Sequence, residues 1–205
     1  MYEAITYEKI FSTIKDKGVV ESIIGLLLAR PGTVTGNEII KSLPYYHHRS
    51  GSNCNFFLAG YGAYWYGEYP DETNVVKIDN EEWSYSNKMF AKFIDSIESN
   101  STWRFSGESE LILIHVINER LDFSKTIVFN MDRLIKDEVV TSINAFLEVI
   151  FRELSKYGIN EISDIGICRA ILDSILKQIK DSCPTFINKM WTQGKHYAVH
   201  NYTKK

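Results

Sequence analysis

The residues best equipped for chemistry lie in one run. Tyr45-Tyr46-His47-His48-Arg49 leads through Gly51 into the apolar segment Cys54–Ala59, and Gly60-Tyr61-Gly62-Ala63-Tyr64-Trp65-Tyr66 follows it. Arg49 offers a planar fork of donors that matches a carboxylate or phosphate, and a neighbouring histidine adds a donor that titrates near neutral pH. The glycines allow backbone to approach a ligand closely or to turn at positive φ, and the aromatic side chains can stack on a planar ring. The chemistry implied is capture of a small anionic, nucleotide-like molecule by His47, His48, Arg49, Gly60, Tyr61, Gly62, Tyr64 and Trp65. The competing reading makes the basic turn a solvated connection and the aromatics a core edge or a partner interface.

Several other chemistries are disfavoured. His47 and His48, being adjacent, point apart on any regular element and are not expected to share a metal. The Gly60/Gly62 pair lacks the third glycine of a dinucleotide fingerprint, and no lysine–hydroxyl pair follows a glycine loop, so no cofactor is expected. Glu108 and Glu110 would share one face of a strand beginning there, and paired carboxylates can hold a cation or divide acid and base roles. With Glu98 at the end of the preceding helix and His48 assisting, Glu108 completes the set open to a hydrolase of nucleotide, phosphate or glycosidic bonds. Against it, the acids sit at the amino end of their strand, away from the favoured ligand face of a parallel sheet, where edge charge also prevents wrong pairing. His115 reads as a hydrogen-bonded core histidine and Cys54 as a small buried apolar residue. His196 and His200 would share a face of a helix, as in a metal pair, but Gly194 precedes them and no third ligand is near. No metal site is assigned.

These residues must be positioned by elements that the apolar periodicity outlines. Tyr7, Ile10, Phe11 and Ile14 mark an amphipathic helix ended by Gly18. Val20, Ile23, Ile24, Leu27 and Leu28 suggest a second helix stopped at Pro31, and the Thr35/Glu38 capping box opens a third that closes at Pro44. Strands are expected at 54–59 and 75–78, a helix capped by Ser84 or Ser86 at 87–99, a doubly covered strand at 110–117, and a short strand at 126–129. A helix runs from Val139 to a stop at Gly158, another follows Ser163 and Asp164, and the tail from Trp191 has no strong period. The strand at 54–59, the helix at 87–99 and the strand at 110–117 read as a right-handed parallel βαβ unit, with Gly60–Tyr66 at its ligand-binding end.

The expected architecture is a single three-layer α/β domain over residues 1–205, with a short, mixed, largely parallel sheet flanked by helices. Residues 1–44 form a helical N-terminal part, 45–130 the sheet-forming core, 131–190 a helical C-terminal part and 191–205 a tail. At 205 residues and 44% hydrophobic content the chain can bury an ordinary core. A net charge of −3 and a pI near 6.0 provide no field for nucleic acid or anionic lipid. Three widely spaced cysteines, with no signal peptide or membrane span expected, point to a reduced, cytoplasmic protein. The reading preferred from sequence is a small-ligand sensor or accessory protein, followed by the hydrolase, then a structural subunit that docks on a partner or on a second copy in a homo-oligomer.

Overall fold

The run Glu21–Leu28 decides the architecture. Ile23, Ile24, Leu26, Leu27 and Leu28 are all buried, so the segment has no polar side to offer water. A strand covered on both faces suits such a run, and short apolar runs do not distinguish strand from helix by period. The computed structural model, which describes residues 1–16, 21–51, 54–118, 120–155, 173, 174, 177 and 192–204, makes it a central strand rather than the second helix expected. In chain order the elements are β1 (Tyr2–Ala4), α1 (Tyr7–Asp16), β2 (Glu21–Leu28), α2 (Val34–Ser50), β3 (Asn55–Ala59), β4 (Tyr61–Ala63), β5 (Thr73–Ile78), β6 (Glu81–Tyr85) and α3 (Asn87–Asn100). They continue as β7 (Glu110–Ile117), β8 (Arg120–Asn130), α4 (Met131–Lys136), α5 (Ile143–Ser155) and β9 (Tyr197–His200).

Six strands form a mixed sheet in the order β1-β3-β2-β7-β8-β9, and a second, antiparallel sheet has the order β4-β6-β5. This corrects the three-layer, largely parallel arrangement. Within the large sheet, β1/β3 and β2/β3 pair in parallel, whereas β2/β7, β7/β8 and β8/β9 are antiparallel. The expected βαβ unit is also corrected, because β2 lies between β3 and β7 and β7 runs against it. The parallel crossover is instead β2–α2–β3. The N-terminal part is not simply helical, since β1 and β2 belong to the large sheet.

Local chemistry explains several boundaries. Thr33, not Thr35, caps α2 by accepting from the Gly36 N–H, and the helix runs through Pro44 to Gly51, at φ 47°. Pro44 lacks the N–H that the Ile40 carbonyl would accept, a cost the helix bears without ending. Ser86 caps α3, as one of the two expected serines. Gly60, at φ 77°, turns the chain out of β3 into the small sheet, and a side chain there would meet the Phe90 backbone nitrogen at 2.8 Å.

Helices α2 and α5 cover one face of the large sheet. Phe151 of α5 lies 4.7 Å from Phe56 and 5.6 Å from Tyr46, ring centre to ring centre, and Phe146 lies 5.2 Å from Phe129. Phe57, alternating with Phe56, points to the opposite face, where it meets Tyr2. The helix expected after Ser163, the stop at Gly158, and Cys168 and Cys183 lie outside the described residues, except for isolated positions 173, 174 and 177. Among the described residues no helix is long and apolar enough to cross a membrane.

The register places the carboxyl ends of β1, β2 and β3 at one end of the sheet. Leu28 faces Glu110, the first residue of β7, which in turn faces Asn130, the last of β8. This is the end at which open sheets with parallel strands leave room for ligands.

Candidate functional site

The basic cluster is the last turn of α2, not a turn before β3, and cations are favoured at that helix end by the macrodipole. Its members point to different partners. Arg49 grips Glu148 of α5 through Nε and Nη2, both 2.8 Å from Oε1, while Tyr45 donates to Glu148 Oε2 at 2.7 Å. His48 Nε2 sits 3.0 Å from Asp79 Oδ1. His47 lies 3.5 Å from the Met1 nitrogen and stacks edge-on near Trp83, and burial pulls its imidazole below the usual value. Arg49 is therefore committed to tying α2 to α5. Arg49→Ala is expected to lower stability by about 0.5–1 kcal/mol, the scale of a partly exposed ion pair, as a shift in urea midpoint. An unchanged midpoint would show that the pair contributes nothing.

The glycine- and aromatic-rich segment divides into structural and exposed parts. Tyr61 is buried, donates to the Ala29 carbonyl at 2.8 Å and packs on Tyr85; burial raises its phenol well above the usual value. Gly62 makes room for the Trp65 indole, since a Cβ there would strike that ring and come within 2.6 Å of Glu3 Oε2. Trp65 is buried and meets Tyr69 edge-on at 4.8 Å. Tyr64 and Tyr66 on either side are 61% and 80% exposed and both have positive φ, 63° and 48°.

A cleft of about 420 Å³ opens against this segment, within the range of small-molecule sites. Ala63, Tyr64, Trp65 and Tyr69 supply apolar and aromatic walls. Ile5 and Thr6, just after β1, close one side, while Lys9 of α1 and Lys92 of α3 bring cations and Glu3 and Glu68 bring acceptors. Lys9 is paired with Glu3 at 3.0 Å, whereas Lys92 has no ion pair among the described residues. Lys9, Lys92, Glu68 and Tyr69 carry no motif that sequence reasoning could have detected, because three separate elements bring them together. Gly60 and Tyr61 position the segment from beneath without lining the cleft.

The hydrolase candidates lie apart. Glu98 accepts from the Phe105 N–H at 2.9 Å, Glu108 takes Asn130 Nδ2 and Arg133 Nε at 2.6 and 2.8 Å, and His48 is with Asp79. None of the three lines the cleft. His196 is buried, receives the Thr192 N–H on Nδ1 at 3.1 Å, and through Nε2 meets Asp137 at 2.7 Å. With Nδ1 accepting, Nε2 carries the proton and donates to the carboxylate. His196 lies in the turn before β9 and His200 is the last residue of that strand, so the two histidines do not share one helix face. Among the described residues no group of three or more His, Cys, Asp or Glu could hold a metal ion. Compared with protein families, with curated proteins and with solved structures, the chain gives no significant match, and its functional reading rests on the geometry above.

Proposed function

We propose that this protein binds a small, planar, anionic ligand of nucleotide type in the cleft beside Trp65, acting as a sensor or accessory protein. The observation that carries the reading is the pair of exposed tyrosines held at positive φ on either side of the buried tryptophan. Bulky residues in that conformation cost on the order of 1–3 kcal/mol each and persist where surrounding structure or function demands them. Tyr64 presents a ring to the cleft, Lys92 offers an ammonium with no ion pair among the described residues, and Glu68 can accept from a sugar hydroxyl or a ring amino group. Binding is preferred to hydrolysis because Glu98, Glu108 and His48 each have a partner of their own on a different element. It is preferred to a structural subunit because few large apolar side chains are exposed among the described residues, Val34 and Tyr45 on α2 and Tyr64 and Tyr66 after β4. A reducing, cytoplasmic setting belongs to the same proposal, supported by Cys54, whose thiol burial pushes up to about 12.

Titration calorimetry with a panel of nucleosides and nucleotides tests the reading. Lys92→Ala should weaken binding of a phosphorylated ligand by about ten- to a hundredfold, the scale of a charge-assisted hydrogen bond, and leave the parent nucleoside unaffected. Tyr64→Gly should weaken both while holding or raising the melting temperature, because glycine relieves the positive φ. No binding across the panel at millimolar concentration, or equal affinities in wild type and Lys92→Ala, would overturn it.

A further inference from the structure

A second cavity, of about 160 Å³, lies where β7 begins, β8 ends and β9 begins. That is roughly ten times the space one water needs. Glu110 lines it from the middle of the sheet, flanked in register by Leu28 and Asn130, with its residue only 3% exposed. Its Oε2 has no hydrogen-bond partner among the described residues. A buried polar atom without a partner is rare and costly, so the carboxyl that lines this cavity has unmet hydrogen-bonding capacity.

Three cations, Arg104, Arg133 and Lys195, line the same cavity. The carboxylates that accompany them lie outside its lining and hold them from behind. Arg133 Nε is 2.8 Å from Glu108, Lys195 Nζ is 2.6 Å from Asp137, and Arg104 Nε is 4.0 Å from Glu98. Arg104 is further locked by Nη1 bonds to the carbonyls of Glu98, Ser101 and Trp103. His196 is spent on Thr192 and Asp137, and Tyr202 contributes a phenol that burial keeps protonated. The cavity thus joins guanidinium and ammonium donors with one carboxyl that can share a proton.

We infer that this cavity binds a phosphate group, with one proton held between the Glu110 carboxyl and a phosphate oxygen while Arg104 and Arg133 donate to the remaining oxygens. Phosphate suits the site better than sulfate, because at neutral and mildly alkaline pH inorganic phosphate still carries a proton and sulfate carries none. Burial pushes the Glu110 carboxyl up to about 7, against the pull of nearby Ser106. Below that range Glu110 supplies the shared proton and either anion is accepted. Above it the ligand must supply the proton, and only inorganic phosphate can.

Calorimetry on the full chain in chloride buffer, at about pH 6 and about pH 8.5 on either side of the Glu110 titration, tests this with inorganic phosphate, sulfate and phenyl phosphate. Phosphate is expected to bind at both pH values, and sulfate at least about tenfold more weakly at the higher one. Glu110→Gln should bind both anions alike at the higher pH, because its amide donates without a proton from the ligand, and Arg133→Gln should weaken phosphate about tenfold. Phenyl phosphate binding at the lower pH would extend the site to phosphomonoesters, and its exclusion there would assign the site to the free ion; either supports a phosphate site. Absence of phosphate binding at millimolar concentration, equal phosphate and sulfate affinities at the higher pH, or discrimination retained in Glu110→Gln would overturn the inference.

Discussion

Replacing Glu110 with glutamine is expected to stabilise the protein at pH 8 by about 3 kcal/mol while leaving its stability at pH 4 nearly unchanged. The reason is burial without compensation. Desolvation moves the carboxyl from its ordinary 4.5 to about 7, so the folded state holds a proton that the unfolded chain gives up. Below 4.5 both states are protonated and the group contributes no difference. As pH rises from 4.5 to 7 the unfolded chain ionises first, stability falls, and the loss levels off above 7. Glutamine keeps the shape and cannot ionise, so this falling limb should vanish. Urea midpoints of both proteins at pH 4, 6 and 8 measure it. Parallel curves across the three would mean that Glu110 is paired when folded and that the cavity beside it holds no unmet acceptor. A gain at pH 8 would fit the trade-off in which binding groups are kept at the expense of stability.

Leu113→Ala and Ile114→Ala are each expected to cost about 2–5 kcal/mol, the range for large-to-small changes in a close-packed core. Both residues are fully buried, yet they point to opposite faces of β7. Leu113 faces Gly25 and Ile127, in the row that includes Phe56 and lies under α5. Ile114 faces Ile24 on the other side. Denaturant unfolding of the two single variants is the measurement. A near-neutral Ile114→Ala would mean that the face opposite α5 is open to water, whereas comparable losses confirm that β7 is sealed on both faces.

The sequence was a good guide where one segment's chemistry is enough to choose its structure. The stripe Phe90, Phe93, Ile94 and Ile97 behind Ser86 can bury itself only as a helix, and 87–99 is α3 within a residue. Leu111–Ile117, apolar on both sides, is the doubly covered strand expected, and Cys54–Ala59 contains β3. Where two structures satisfy one pattern, local reading failed. Val20–Leu28 suits a buried helix as well as a buried strand, and the choice came from β3 and β7, which supply hydrogen bonds on either side. The tail shows the same dependence: Tyr197–His200 has no period of its own and becomes β9 because Thr126–Phe129 offers an open edge.

The candidate sites divide along the same line. Sequence alone identified the residue types able to act, including Arg49, Trp65, Glu108 and Glu110, since charge and ring chemistry belong to a side chain wherever it lies. Tertiary structure decided which of them are spent. It closed Arg49 onto Glu148 and Glu108 onto Arg133, left Glu110 with an oxygen unmet among the described residues, and drew Lys9, Lys92 and Trp65 from three elements to one cleft. A side chain's partners lie tens of residues away along the chain, and no local pattern encodes a pairing that only the folded sheet creates.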